Sequence, residues 1–218
     1  MTNIVVLISG SGTNLQALID AHQQGELSVN IAAVISNRPQ AYGLERARQA
    51  GIETVVLDHT GFDSREQFDQ ALQARIDAFD PQLVVLAGFM RILTAGFTQH
   101  YLGRMLNIHP SLLPKYQGLH THQRALEAGD REHGVTVHFV TPELDGGPNV
   151  IQAIVPILAD DDATTLAQRV QAQEHIIYPL AVNWFAQGRL RMDNHRSWLD
   201  QELLPVSGFV IDSRPHNG

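Results

Sequence analysis

No cysteine occurs among the 218 residues. Disulfides, thiolate catalysis, iron–sulfur clusters and cysteine-ligated zinc are therefore excluded. No run of about 18 apolar residues exists, so no membrane-spanning helix is expected. Cations are scarce: the net charge is −8 and Lys115 is the only lysine. With no basic block, nucleic acid is a poor partner. An anionic ligand would need local features, such as backbone amides and a few arginines. The first six residues reach a strand-like run at once, without a basic segment or cleavage site. A signal peptide is not expected, and the cytoplasm is the expected location.

What is present reads as a folded α/β chain. The apolar fraction of 44% is ordinary for a globular protein. Strands are predicted over residues 3–8, 30–36, 53–57 and 83–87, and helices over 13–22, 42–50 and 64–79. The run at 83–87 has no polar alternation, which indicates burial on both faces. Strand–helix alternation of this kind implies a parallel sheet with right-handed crossovers. Further on, strands are predicted over 104–108, 135–140 and 150–155, with the last two antiparallel across a turn-rich segment. Helices are predicted over 121–128 and 164–187, with Pro179 kinking or breaking the second. Residues 189–192 add a final strand. The fold class is α/β: a Rossmann-like mixed, mostly parallel sheet flanked by helices. One domain over 1–206 and a weakly held tail over 207–218 account for the whole chain.

Chemistry concentrates at Leu106-Asn107-Ile108-His109-Pro110-Ser111-Leu112-Leu113-Pro114. Pro110 pushes His109 away from helical angles. In an extended backbone, positions 107 and 109 point to the same side. An amide and an imidazole aimed at one spot suit acyl chemistry, where an oxygen gains charge and a proton moves. Asp145, in Leu144-Asp145-Gly146-Gly147, could orient or charge the imidazole. None of the three is a good nucleophile, so direct attack by a substrate amine is favoured over a covalent enzyme intermediate. The alternative is that the pair satisfies loop backbone and Asp145 belongs to a plain turn.

Ser9-Gly10-Ser11-Gly12-Thr13-Asn14 follows the first strand and opens the first helix. Glycines admit close approach and a helix N-terminus offers free N–H groups to an anion. No Gly-Lys-Ser/Thr follows, and Leu15 stands where a third glycine would complete a dinucleotide fingerprint. The loop suits a monophosphate, with an ordinary capped turn as the alternative. His120-Thr121-His122 with His109 has metal-ligand residue types, but the segment reads as loop entering helix, so no metal is expected. Asp160-Asp161-Asp162 reads as charge and cap for the long helix. His138 and His175 read as core or surface residues.

These motifs, together with Gly88-Phe89-Met90-Arg91-Ile92-Leu93, resemble the folate-dependent formyltransferases. The likeness runs from about residue 3 to 204, and the Asn-x-His-Pro-Ser-Leu-Leu-Pro run with a later Asp-Gly-Gly is its specific part. It implies the formyltransferase fold and a formyl group moving from 10-formyltetrahydrofolate, as co-substrate, to the amine of glycinamide ribonucleotide. It implies His109 as proton donor and oxyanion stabiliser, Asn107 as second oxyanion donor, and Asp145 as the group that keeps His109 charged and passes protons through water. Gly12, Thr13 and Asn14 would hold the substrate phosphate, and Glu174 the ribonucleotide. Folate would lie along Met90, Arg91, Ile92, Leu93 and Asn107 and against Thr141, Pro142, Glu143, Leu144 and Asp145. Arg65 would approach its glutamate end, and Leu86, Leu93 and Val140 would wall the pterin. Pro142 and Gln117 depart from the family pattern. The implied partners are the two small molecules, with neither nucleic acid nor membrane, and the expected assembly is a monomer or weak homodimer. The alternatives are a formyltetrahydrofolate hydrolase and a non-enzymatic mononucleotide-binding module.

Overall fold

Val5, Val6, Leu7 and Ile8 are all fully buried, because the first strand has helices on both faces. Successive side chains alternate between two cores. Ile4, Val6 and Ile8 join one, and Val5 and Leu7 the other. The computed structural model describes residues 1–215. Its first half alternates β1 (Thr2–Ile8), α1 (Thr13–Gln23), β2 (Val29–Ser36), α2 (Gly43–Gln49), β3 (Thr54–Val56), α3 (Arg65–Asp77) and β4 (Leu83–Leu86). There follow α4 (Ala95–His100), β5 (Met105–His109), α5 (Thr121–Glu127), β6 (Glu132–Phe139), β7 (Asn149–Pro156) and α6 (Ala163–Ala186). The chain continues with β8 (Leu190–Asp193), β9 (Arg196–Leu199), β10 (Glu202–Leu203) and β11 (Phe209–Asp212). No helix among the described residues is long and apolar enough to cross a membrane.

The main sheet has eight strands in the order β11-β7-β6-β5-β4-β1-β2-β3. Only the β5–β6 and β6–β7 pairs are antiparallel. The expected mixed, mostly parallel sheet is therefore present. Residues of α1, α2 and α6 pack in one core and those of α3 and α4 in the other. β1 pairs with β2 on one side and β4 on the other, which makes the gap beyond β1 and β4 the topological switch point. Ligands of open α/β sheets bind at such a point.

Several elements differ from expectation. Pro179 does not end the long helix, which runs as one element to Ala186. Proline removes one hydrogen bond, but Ile177, Tyr178, Ala181 and Val182 are buried on either side of it and hold the helix against the sheet. Asp162 caps its start in a capping box with Thr165, as the acidic run suggested. The final strand at Leu190–Asp193 is followed by two more, forming a small antiparallel sheet β10-β9-β8. The segment from Ser207, expected to be a weakly held tail, contributes β11, which lies parallel to β7. The last part of that expected tail, 216–218, lies outside the described residues.

Gly134 in β6 marks a place where the backbone of β7 comes close. A Cβ there would stand 2.0 Å from the Ala153 carbonyl oxygen and 2.7 Å from Leu112 Cδ2. Gly134→Ala should destabilise the fold by about 1–3 kcal/mol or more, because a backbone atom must give way. A lowered urea midpoint with unchanged slope is the expected result.

Candidate active site

The site begins where the parallel strands stop. Leu86, the last residue of β4, pairs with Asn107, so β5 runs two residues further, to His109. Asn107 and His109 are two apart on this strand and share the face of Met105, as the extended backbone requires. β6 lies antiparallel against β5 and pairs His138 with Asn107. Asp145 then folds back from the segment after β6, with φ at 48°. Its carboxylate meets His109 Nδ1 at 3.5 Å. The four side chains therefore come from two strands and one turn.

Their hydrogen bonds fix most of the roles. His109 Nε2 lies 2.8 Å from the Tyr116 carbonyl, which can only accept. Asp145 also faces the ring, so a ring carrying both protons satisfies both contacts and one proton satisfies one. The Asn107 amide nitrogen lies 3.2 Å from His138 Nε2, and His138 Nδ1 lies 2.9 Å from the Phe139 carbonyl. His138 therefore donates from Nδ1 and accepts at Nε2 from Asn107. Burial pushes its ring pKa down, which suits that neutral form. Asn107 Nδ2 keeps a second N–H for another acceptor. His138 Nε2 also stands 3.8 Å from Asp145 Oδ1. Sequence reading placed His138 in the core or at the surface; the structure puts it in contact with Asn107 and beside Asp145.

The segment after His109 is tied down along its length. Thr136 Oγ1 donates to the Ser111 carbonyl and accepts from the Leu113 amide. Tyr116 donates to Asp130 at 2.6 Å, and Arg124 donates to the Gln117 carbonyl at 2.6 Å. Gly118 N–H donates to Asp145 Oδ2 at 3.0 Å, and Gln117 Nε2 reaches the Asp145 carbonyl at 3.4 Å. Gln117, one of the two departures from the family pattern, thus touches the Asp145 backbone. Lys115 pairs with Asp130 on the surface. His122 Nδ1 meets His133 Nε2 at 3.1 Å, and burial pushes His133 down to about 4. Among the described residues, no three His, Asp or Glu side chains converge as a metal-binding group.

The glycine loop lies across the switch point. Gly12 is the N-cap of α1 in the left-handed region, and no side chain caps the helix. Its first-turn N–H groups are thus left for another acceptor. Asn14 donates to Glu174 at 3.1 Å, and Gln171 of α6 donates to Thr13. Burial pushes the Glu174 carboxyl up, against the lowering effect of Asn14. Asn14 Oδ1 is buried with no partner, so the amide is left able to accept from a ligand. Thr13, Asn14 and Glu174 thus form one group spanning α1 and α6.

The remaining predicted residues fall into two places. Leu86, Leu93 and Val140 belong to or pack against the same core, below the Asn107 face. Met90, Ile92 and Leu144 are each 57% exposed, which is unusual for large apolar side chains. Arg91 stacks over Phe68, 4.8 Å from the ring centroid. Arg65 opens α3 and is exposed. Thr141, Pro142, Glu143 and Asp145 line a cavity of about 680 Å³. A second cavity, of about 580 Å³, lies between α1 and α6 and reaches Thr13. Asn107, His109 and Met90 line neither cavity.

Comparison with known proteins places the chain among its relatives. The formyl transferase family model matches residues 2–182. Phosphoribosylglycinamide formyltransferase of Escherichia coli K12 is 59% identical over 96% of this chain and 99% of its own. The Haemophilus influenzae protein of the same name is 51% identical over the same shares. A solved phosphoribosylglycinamide formyltransferase from Coxiella burnetii superposes with a TM-score of 0.93 at 57% identity, covering 96% of this chain and 98% of that one. With a family model over residues 2–182 and a likeness to its relatives that runs nearly end to end, this chain belongs to the formyl transferase family.

Proposed function

We propose that the chain transfers the formyl group of 10-formyltetrahydrofolate to the amine of phosphoribosylglycinamide, a step of purine biosynthesis. The observation that carries the reading is the convergence of Asn107, His109 and Asp145 at the end of β5, with Asp145 Oδ2 3.5 Å from the ring of His109. The high identity to proteins named for this reaction supports the choice of substrates. No metal is required for the step.

The chemistry follows from the donors. The substrate amine attacks the formyl carbon, and the carbonyl oxygen becomes an oxyanion. Asn107 offers its second amide N–H to that oxygen, and His109 its Nε2–H, which must turn to it from the Tyr116 carbonyl that it faces in this structure. The new C–N bond forms, the bond from carbon to N10 of the folate breaks, and N10 takes a proton. The amine nitrogen loses one, so protons balance without a covalent enzyme intermediate. Asp145 holds His109 in place and relays the proton. Gly12, Thr13 and Asn14 bind the phosphate through the uncapped start of α1, and Glu174 meets the ribonucleotide. The exposed apolar Met90, Ile92 and Leu144, with Leu93, Arg91 and the 141–145 segment, receive the folate, and Arg65 approaches its glutamate end.

The test is tetrahydrofolate release from 10-formyltetrahydrofolate with and without the ribonucleotide, in the presence of a chelator. Release that depends on the amine and persists under chelation is expected. Equal release without the amine would instead indicate a hydrolase, which would use the same three side chains on water. No release from folded protein would favour a nucleotide-binding module.

A further inference from the structure

Ser9 opens the glycine loop, yet its side chain does not point to any part of the proposed chemistry. It is 3% exposed, and Asn37 beyond it is fully buried. Its hydroxyl accepts from the Met90 N–H at 2.8 Å and donates to Asn37 Oδ1. The amide group of Asn37 then meets His59 Nδ1 at 3.2 Å. The Ser9 end is fixed: Met90 N–H can only donate, so Ser9 Oγ accepts there and gives its single proton to Asn37, while His59 Nδ1 faces both the Asn37 side-chain nitrogen and, at 3.1 Å, its backbone carbonyl. That sets the Asn37 amide with its oxygen toward Ser9 and its nitrogen toward His59.

The position of this chain of bonds matters. The last backbone bond between β1 and the strand beside it is Ala87 N–H to the Leu7 carbonyl. Beyond it the two strands part at the switch point, and Gly88 turns through φ 74°. Met90 N–H has left the ladder and is held by the Ser9 hydroxyl. The phosphate loop has separate ties. Gly43 N–H donates to the Gly10 carbonyl at 3.0 Å, and Arg46 Nε to the Ser11 carbonyl at 2.7 Å.

We propose that Ser9, oriented by Asn37, is a positioning residue that fixes residues 90–93 for the formyl donor. The proposal rests on the folate reading above. Ser9 and Asn37 touch no substrate; they act through the backbone of Met90. Removing the hydroxyl takes the acceptor from the part-buried Met90 N–H and the donor from the fully buried Asn37 Oδ1, and a buried polar group left unpaired is costly. The phosphate loop keeps its Gly43 and Arg46 ties, so the two substrates should respond differently.

The experiment compares Ser9→Ala and Asn37→Ala with wild type by steady-state kinetics and by hydrogen exchange at single amides. In Ser9→Ala the KM for 10-formyltetrahydrofolate should rise about tenfold, the size expected for one lost hydrogen bond. The KM for the ribonucleotide should change less than about twofold, since its loop keeps its own bonds. Exchange at the Met90 amide should quicken while that at Ala87 stays slow. Asn37→Ala should give the same pattern more weakly, because the Ser9 hydroxyl can still accept from Met90; it carries the comparison if Ser9→Ala fails to fold. An equal rise in both KM values, or unchanged Met90 exchange in folded variants, would overturn the proposal. Wild type that releases no tetrahydrofolate would instead overturn the folate reading, and Met90 exchange would still decide whether Ser9 holds that segment.

Discussion

Replacing His109 by alanine should lower kcat by about 10²–10⁴-fold, the usual range for a positioned acid–base group, while ribonucleotide binding stays near normal. The reason is a division of labour between elements. His109 stands at the end of β5 with Asp145 and the Tyr116 carbonyl as its neighbours. Asn14 of α1 bonds to Glu174 of α6, and Thr13 of α1 to Gln171 of α6. Removing the ring leaves those bonds untouched. Asp145→Ala should behave in the same direction, because the carboxylate acts through the ring and through proton relay. Turnover by single-turnover kinetics and ribonucleotide affinity by calorimetry check both variants. Near-normal turnover in either would refute the role assigned to it.

Asn107→Ala should raise the barrier by about 2.7–4 kcal/mol, the range for loss of one oxyanion donor. That is roughly 10²–10³-fold in kcat, with little change in ribonucleotide affinity. The effect should be on kcat because the N–H binds charge that exists only during the reaction. The structure adds a partner to this prediction. One Asn107 N–H is committed to His138 Nε2. In the proposed role, His138 would therefore set which N–H of Asn107 faces the reacting oxygen. Comparable losses in kcat and in ribonucleotide binding for Asn107→Ala would contradict the oxyanion role and point to a collapsed site.

The legible parts of the fold were those whose pattern depends on local burial. β1 and β4 are continuous apolar runs buried on both faces, and they fall within one or two residues of their predicted ranges. The antiparallel turn between β6 and β7 was visible in its prolines and glycines. What was not legible depended on distant partners. The helix Ala95–His100 is short, though Thr94 caps it by accepting from Phe97 N–H, a signal the sequence carried. β11 has only four residues and exposed side chains, and its strand character comes from pairing with β7. The helix through Pro179 survives because of what its neighbours bury, which local propensity does not weigh.

The same distinction applies to the site. Asn107 and His109 could be paired from strand geometry and a following proline, since both lie on one element. Their arrangement on a common face follows from that local rule. His138 could not be found the same way. Its role depends on the register that sets it opposite Asn107, and a one-residue slip would send it to the other face. Ser9 was visible as a loop residue, but its bond to Met90 spans 81 positions and two strands.

The most direct test of the account follows the formyl carbon itself. 10-Formyltetrahydrofolate labelled with carbon-13 in the formyl group is mixed with the protein and the ribonucleotide, and the products are read by mass spectrometry. The account predicts one labelled formyl group on the ribonucleotide amine, formed by wild type and reduced by about 10²–10⁴-fold in His109→Ala. Label recovered as free formate, or labelled ribonucleotide formed equally by His109→Ala, would contradict it.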